Sequence, residues 1–203
     1  MTTAAFSAHV TQRLVSSAAL ISLVLLTLFA LPLWVYAVVV MGFIALALYE
    51  FVTMVRHRGI LVHRPLTVGL GLAFTGLVAW RSLVQPGLVV APVLDQGATI
   101  FSWAWDIFWP ATIVIIFLRQ FTRQNTFEAL SGLATTLFGL AYIAGLLSYL
   151  FYLRAFKGAQ DGAWLICFLI LVTKMGDAGA LIIGKSFGRH TLMARISPTK
   201  TVE

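Results

Sequence analysis

Residues 162–184 read GAWLICFLILVTKMGDAGALIIG, an apolar run interrupted by Thr173, Lys174 and Asp177. Because about 20 mostly apolar residues cross a hydrocarbon core of about 30 Å, this run predicts a transmembrane helix. An ionised side chain near the middle of such a helix costs about 2.5–3.5 kcal/mol on insertion scales. Asp177 therefore requires a partner, a water-filled cavity or a metal. Lys174 lies three residues earlier on the same helix face, which predicts an ion pair.

The rest of the chain has the same character. Of its 203 residues, 60% are hydrophobic and only 10% are charged, and the mean hydropathy is +0.95. These values exclude an ordinary soluble domain. We predict an all-α, polytopic integral membrane protein that forms a single domain over residues 1–203. Its about six transmembrane helices are expected at 14–30, 33–54, 66–84, 100–118, 130–152 and 162–184.

The first span resembles a secretory signal because Arg13 precedes it, but Ala30-Leu31-Pro32 leads into a second apolar run. We therefore predict a retained helical hairpin with Pro32 at its turn. The single cysteine, Cys167, lies inside the sixth span and cannot form an internal disulfide. It is interpreted as a small buried apolar residue.

Positive charges predict the orientation of the chain, since cytoplasmic loops carry an excess of Lys and Arg. Cations on one predicted side are Arg13, Arg56, Arg58, Arg64, Arg119, Arg123, Lys185, Arg189, Arg195 and Lys200. This side is predicted to be cytoplasmic, in a cell inner (plasma) membrane. The opposite side carries Asp95, with Arg81 near its edge, and Arg154 and Lys157 form the one discordant connection.

The net charge of +7 belongs mostly to these orienting cations. Each Lys or Arg near an anionic membrane surface contributes about 1 kcal/mol of attraction, so membrane lipids are the expected partner. No nucleic-acid partner is predicted. The sequence leaves open whether the protein forms a homodimer.

The end of the chain combines small residues, cations and a turn. Gly176, Ala180 and Gly184 form a stripe that permits close helix contact, and Gly184 is expected to end the helix. Lys185 to His190 is a short basic segment. Ser197-Pro198 fits a helix N-cap followed by proline at the first position, so a helix N-terminus is expected to offer N–H groups to phosphate beside Lys200. Together these features predict a phosphate and metal site at a membrane surface.

At these residues the chain resembles the phosphatidate cytidylyltransferases, also called CDP-diacylglycerol synthases. The family pattern is matched in order and spacing by Asp177-Ala-Gly-Ala180, Gly184-Lys185, Gly188-Arg-His190 and Ser197-Pro-Thr-Lys-Thr-Val-Glu203. Tyr49-Glu50-Phe51 is similar to a glutamate-aromatic pair of the family, although an interfacial acid near Arg56 explains Glu50 equally well. Leu181 replaces a common aromatic residue, and Lys174 stands where an apolar or small residue is usual.

The resemblance implies transfer of a cytidylyl group from CTP to phosphatidate, giving CDP-diacylglycerol and pyrophosphate in phospholipid biosynthesis, with Mg²⁺ as cofactor. It implies that Asp177 and Lys200 are catalytic and that Asp177 and Glu203 hold the metal. Substrate binding is assigned by the same resemblance to Lys185, Arg189, Ser197 and Thr201. The active site would face the cytoplasm.

Family members continue beyond the glutamate with further helices and metal-binding acids. We therefore expect this chain to be the N-terminal part of such an enzyme, inactive as a fragment. Two other classes remain open. A CTP-dependent polyprenol or phytol kinase would transfer a phosphoryl group instead, and a non-catalytic or transport membrane protein would use Lys174 and Asp177 as a titrating pair.

Overall fold

The computed structural model describes residues 15–84, 100–121, 126–156, 159–188, 191–193 and 197–201. Seven helical segments and two short strands occupy this part of the chain. The helices are α1 (Val15–Ala30), α2 (Leu33–His57), α3 (Arg64–Val84), α4 (Ile100–Phe121), α5 (Thr126–Gly139), α6 (Leu146–Ala155) and α7 (Ala159–Phe187). The strands β1 (Thr191–Met193) and β2 (Ser197–Thr201) pair in an antiparallel hairpin.

Two π-helical segments interrupt the α-helical ladder. Leu26–Ala30 forms the end of α1, and Leu140–Gly145 joins α5 to α6. Gly139 and Leu146, which flank the second segment, both have right-handed helical backbone angles. The residues from Thr126 to Ala155 therefore form one continuous helix with a π-helical middle.

Helices occupy every predicted span, which confirms the all-α membrane class. Three helical stretches in the described part of the chain are long and apolar enough to cross a membrane: Leu33–His57, Ala129–Ala155 and Gln160–Phe187. Val15–Ala30 is a shorter apolar helix. The count of about six transmembrane helices thus remains a prediction, while the hairpin β1–β2 is an addition that the sequence did not predict.

The break between the first two helices lies where the prolyl turn was expected. Leu31 is extended, and Pro32 has φ −66° and ψ 155° as the N-cap of α2. Proline suits this position because it has no N–H to leave unsatisfied at a helix start. The sequence prediction of a turn at Pro32 is confirmed.

The chain divides into two compact units, residues 1–162 and 163–203. The core of the first unit is built around α2, whose Ile44, Leu48 and Val52 are completely buried at four-residue spacing. Gly71 of α3 lies directly against the Leu48 side chain, because a Cβ atom at position 71 would overlap it. The absence of a side chain at Gly71 therefore sets the close approach of α2 and α3.

Two buried threonines of the first unit satisfy their hydrogen bonds within their own helices. The Thr75 hydroxyl donates to the Gly71 carbonyl at 2.9 Å, and the Thr136 hydroxyl donates to the Gly132 carbonyl at 2.7 Å. Such bonds to the preceding turn leave no unsatisfied donor in an apolar environment. Buried threonine is therefore compatible with membrane helices here.

Arg154, which the sequence assigned to a connecting loop, is a buried residue of α6. Only 5% of it is exposed, and its Nη2 donates to the Leu28 carbonyl of α1 at 2.9 Å. The guanidinium carbon lies 5.8 Å from the centre of the Tyr36 ring, and the Tyr36 hydroxyl donates to the Leu150 carbonyl at 3.1 Å. Arg154 therefore ties α1, α2 and α6 together and does not act as a loop charge.

Candidate functional site

Helix α7 carries the predicted intramembrane acid. The Lys174 Nζ lies 3.7 Å from Asp177 Oδ2, which confirms the ion pair predicted from their spacing. Both side chains are largely exposed, at 75% and 71%. The pair lies 10 to 13 residues before the end of α7, about 15–20 Å along the helix axis. A charged pair at this depth of an apolar helix faces a functional environment more often than lipid.

Lys185 lies in the last turn of α7 and is exposed. At about 100° per residue, Lys174, Asp177 and Lys185 fall within an arc of about 80° on the helix. Lys185 is about 12 Å from Asp177 along the axis. The helix thus presents one acid and two cations on one face, at two depths.

The expected helix stop at Gly184 was wrong. Helix α7 continues to Phe187, and the Gly188 N–H donates to the Gly184 carbonyl at 3.2 Å. Gly184 is therefore inside the last turn, because glycine is tolerated within a helix whose flanking residues are strong helix formers. In the stripe of small residues, no described residue packs closely against Gly176, since a Cβ built there would meet nothing within 4 Å.

The expected helix N-terminus at Ser197 was also wrong, because Ser197–Thr201 is strand β2. Met193 pairs with Ser197 and Thr191 with Thr201, with an irregular register between the two pairs. A two-stranded hairpin tolerates Pro198, since each strand has an unpaired edge where a missing N–H costs nothing. Threonine at 199 and 201 favours the extended conformation.

The hairpin brings the end of the Ser-Pro-Thr-Lys-Thr string back beside Thr191. Thr201 lies opposite Thr191, at a strand spacing of about 5 Å. Thr191 is four residues beyond Phe187, a chain distance of at most about 14 Å. The Thr201 backbone therefore lies within about 20 Å of the end of α7. Arg189 and Glu203, the other predicted site residues, lie outside the described residues.

The described residues contain no group of three His, Cys, Asp or Glu side chains that could hold a metal ion. Asp177 is one hard oxygen donor on α7, and Mg²⁺ is commonly held by one or two carboxylates together with substrate phosphates. The donor set therefore fits an ion carried mainly by a nucleotide.

A groove of about 410 Å³ with a mostly apolar lining lies at the C-terminal end of α2. Its lining residues are Tyr49, Glu50, Thr53, Met54, His57 and Arg58. The sequence analysis named Tyr49 and Glu50 but treated Arg58 only as an orienting charge. The signal that identifies the group is its spacing: residues 49, 53 and 57 form one stripe, and 50, 54 and 58 form the next.

Comparison with known proteins identifies the family. A model of the cytidylyltransferase family matches residues 11–203, and the chain belongs to that family. This confirms the resemblance and the nucleotidyltransferase class that it implied. No solved structure matches the chain significantly.

Three curated relatives carry the name phosphatidate cytidylyltransferase. The protein of Staphylococcus saprophyticus is 34% identical over 131 residues, which cover 61% of this chain and 47% of the relative. Those of Haemophilus influenzae and Synechocystis sp. are 24% identical over 196 residues and 30% identical over 218 residues, each covering 95% of this chain and 66% of the relative. The chain thus spans about half to two thirds of the length of these relatives.

Proposed function

We propose that this chain contributes to the transfer of a cytidylyl group from CTP to phosphatidate, giving CDP-diacylglycerol and pyrophosphate. The observation that carries the proposal is the Lys174–Asp177 pair on the exposed face of α7. Asp177 opens the string that matches the family pattern, and β2 contains most of the second matching string. The names of three relatives support the same reaction.

The chemistry places modest demands on the protein. A phosphate monoester is already a nucleophile near neutral pH, so an oxygen of the lipid phosphate can attack the α-phosphorus of CTP without a strong general base. A new P–O bond forms, the bond from the α-phosphorus to its β-bridging oxygen breaks, and pyrophosphate leaves. Catalysis then consists mainly of positioning and charge neutralisation.

Each predicted site residue has a part in this reaction. Asp177 and Glu203 would hold Mg²⁺, which would supply positive charge against the nucleotide phosphates. Lys200 and Arg189 would neutralise charge on the reacting phosphates. Lys185, Ser197 and Thr201 would bind substrate phosphate at the membrane surface. Lys174 would orient the Asp177 carboxylate through their ion pair.

Location follows from the same proposal. CTP is water-soluble and the lipid head group lies at the membrane surface, so the site serves both substrates if the end of α7 faces the cytoplasm. We propose that the protein resides in the cell inner membrane with this orientation.

The test uses membranes from cells that express this chain and, in parallel, from cells that express the longest reading frame that contains it. Both preparations are supplied with phosphatidate, Mg²⁺ and CTP. We expect label from the α-phosphate of CTP, and none from the γ-phosphate, in chloroform-extractable lipid. Asp177→Asn should reduce incorporation by about 100-fold or more. Asp161→Asn, which removes an exposed acid from the first turn of the same helix, is the matched control and should retain activity.

Two results would contradict the proposal. Label from the γ-phosphate in lipid would identify a kinase. Absence of lipid label with both this chain and the longer reading frame, each well folded, would exclude cytidylyl transfer. Ion flux that is lost in Asp177→Asn would then indicate a transport protein.

A further inference from the structure

Lys174 and Asp177 form their ion pair near the midpoint of the apolar stretch Gln160–Phe187. Within the residues that the structure describes, Asp177 has no other ion-pair partner. The hydroxyl of Thr173, the adjacent polar residue, donates to the Leu169 carbonyl at 2.8 Å. A carboxylate in an apolar helix requires a counter-charge, and Lys174 supplies it.

The Lys174 ammonium is able to leave this carboxylate. Its side chain is 75% exposed, and its long stem has no branches that restrict rotation. Across the described ranges, the ammonium makes no polar contact other than the one with Asp177. That contact, at 3.7 Å between Nζ and Oδ2, is longer than the 2.7–2.9 Å typical of a charge-assisted hydrogen bond. The pair is therefore accessible and loosely held.

Lys174 opposes the binding of a free metal ion at Asp177. The pair as a whole is neutral, whereas the carboxylate alone carries a negative charge. An ion held by this carboxylate, at about 2.1 Å from its oxygen, would lie within about 6 Å of the ammonium, given the distance between Nζ and Oδ2. Water and salt screen charges weakly inside an apolar surrounding, so this separation leaves a strong repulsion.

A nucleotide reverses the sign of this effect. The complex of a divalent cation with a nucleoside triphosphate has a net negative charge, because the phosphates carry more charge than the ion neutralises. An ammonium group attracts such a complex and binds a phosphate oxygen as a mobile point charge. Lys174 therefore distinguishes a cation that arrives with a nucleotide from a free cation.

We propose that Lys174 is a positioning residue that exchanges partners when substrate binds. It pairs with Asp177 until the cation of a cation–nucleotide complex takes the carboxylate, and the released ammonium then binds a phosphate of the same nucleotide. Lys174 thereby weakens the binding of a free divalent cation and strengthens the binding of the complex. That the nucleotide is CTP rests on the proposed function, whereas the effect on a free cation requires no nucleotide.

The experiment measures two equilibria of the purified 203-residue chain in neutral detergent. One is the binding of free Mn²⁺, followed by electron paramagnetic resonance, and the other is the binding of the equimolar complex of Mn²⁺ with radiolabelled CTP. Lys174→Met keeps an unbranched side chain without the charge. It should bind free Mn²⁺ about ten-fold more tightly than wild type and the complex about ten-fold more weakly.

Three further variants locate the effect. Lys174→Arg retains the charge and should stay within about three-fold of wild type in both measurements. Asp177→Asn, added to Lys174→Met, should abolish the gain in Mn²⁺ binding, because the carboxylate is absent. The matched control is Arg56→Gln, which removes an exposed cation from α2 and should change either affinity less than two-fold.

A purely structural role of Lys174 would move both affinities in the same direction, so shifts of the same sign in Lys174→Met would overturn the proposal. Unchanged Mn²⁺ binding in that variant would overturn it as well. If Lys174→Met does not fold, a wild-type chain that binds free Mn²⁺ as tightly as the complex with CTP has the same consequence. Opposite shifts without incorporation of label into lipid would instead reject only the proposed function.

Discussion

At the scale of single residues, Arg154 shows how burial changes what a charged residue indicates about membrane orientation. In the sequence it contradicts the orientation given by the other cations, since it falls on the opposite side. In the structure it is buried and donates to the Leu28 carbonyl. The positive-inside rule counts charges in loops near the membrane surface, so a buried arginine does not weigh against the predicted orientation.

We expect Arg154→Ala to lower the free energy of unfolding by about 2–3 kcal/mol, because a buried hydrogen bond to a charged donor is lost and the Leu28 carbonyl is left unpaired. Thermal unfolding of the purified chain in detergent measures this change. Arg56→Ala is the control, since Arg56 is exposed at the end of α2, and it should cost less than about 0.5 kcal/mol. Equal losses in the two variants would show that Arg154 does not link the helices.

At the scale of secondary-structure elements, two glycines of α7 have opposite packing environments. A Cβ on Gly162 would overlap the Arg154 carbonyl oxygen and lie 2.6 Å from the Leu153 carbonyl oxygen. These neighbours are backbone atoms, which cannot move aside as a side-chain end can. A Cβ on Gly176, in the same helix, would meet nothing within 4 Å.

Gly162→Ala should therefore destabilise the folded chain by about 1–3 kcal/mol through overpacking. Gly176→Ala should change the free energy of unfolding by less than about 0.5 kcal/mol. Both are measured by thermal unfolding in the same detergent. The interpretation of Gly162 as a close-packing glycine fails if the two variants unfold at the same temperature.

The elements also show how far sequence reasoning reaches. Hydropathy predicted every helix, because each span carries its own apolar signal over about 20 residues. The helix ends were predicted less accurately, because Gly184 and Ser197-Pro198 carry only local signals, which neighbouring structure overrides. Pairing of Ser197–Thr201 with Thr191–Met193 depends on a partner strand, and no local capping rule detects it.

The candidate site was predicted unevenly for the same reason. Lys174 and Asp177 were found because their spacing on a helix fixes their proximity. Arg64 was not connected with Tyr49, because Arg64 meets the Tyr49 ring only after the chain turns at Gly59. Contacts across a turn are invisible to helical periodicity.

At the scale of the whole molecule, the chain is a membrane protein of the cytidylyltransferase family, and its orientation is the property most open to direct test. In a Cys167→Ser background, which has no other cysteine, Arg58→Cys should react with a membrane-impermeant maleimide only in inside-out vesicles. Asp95→Cys, at a position outside the described residues, should react only in right-side-out vesicles. The reverse pattern would place the groove of α2 on the outer surface and contradict the predicted orientation.

The π-helical segment Leu140–Gly145 has a consequence for comparing relatives of this chain. A π-turn accommodates one residue more than the α-helical ladder, which advances the following residues by about 100° around the axis. The positions that face outward therefore repeat in one register along α5 and in a register shifted by one residue along α6. An evolutionary deletion of one residue within this segment would convert the turn to α-helix and preserve both faces. A one-residue gap in the interior of this membrane helix is therefore a conservative change in family alignments.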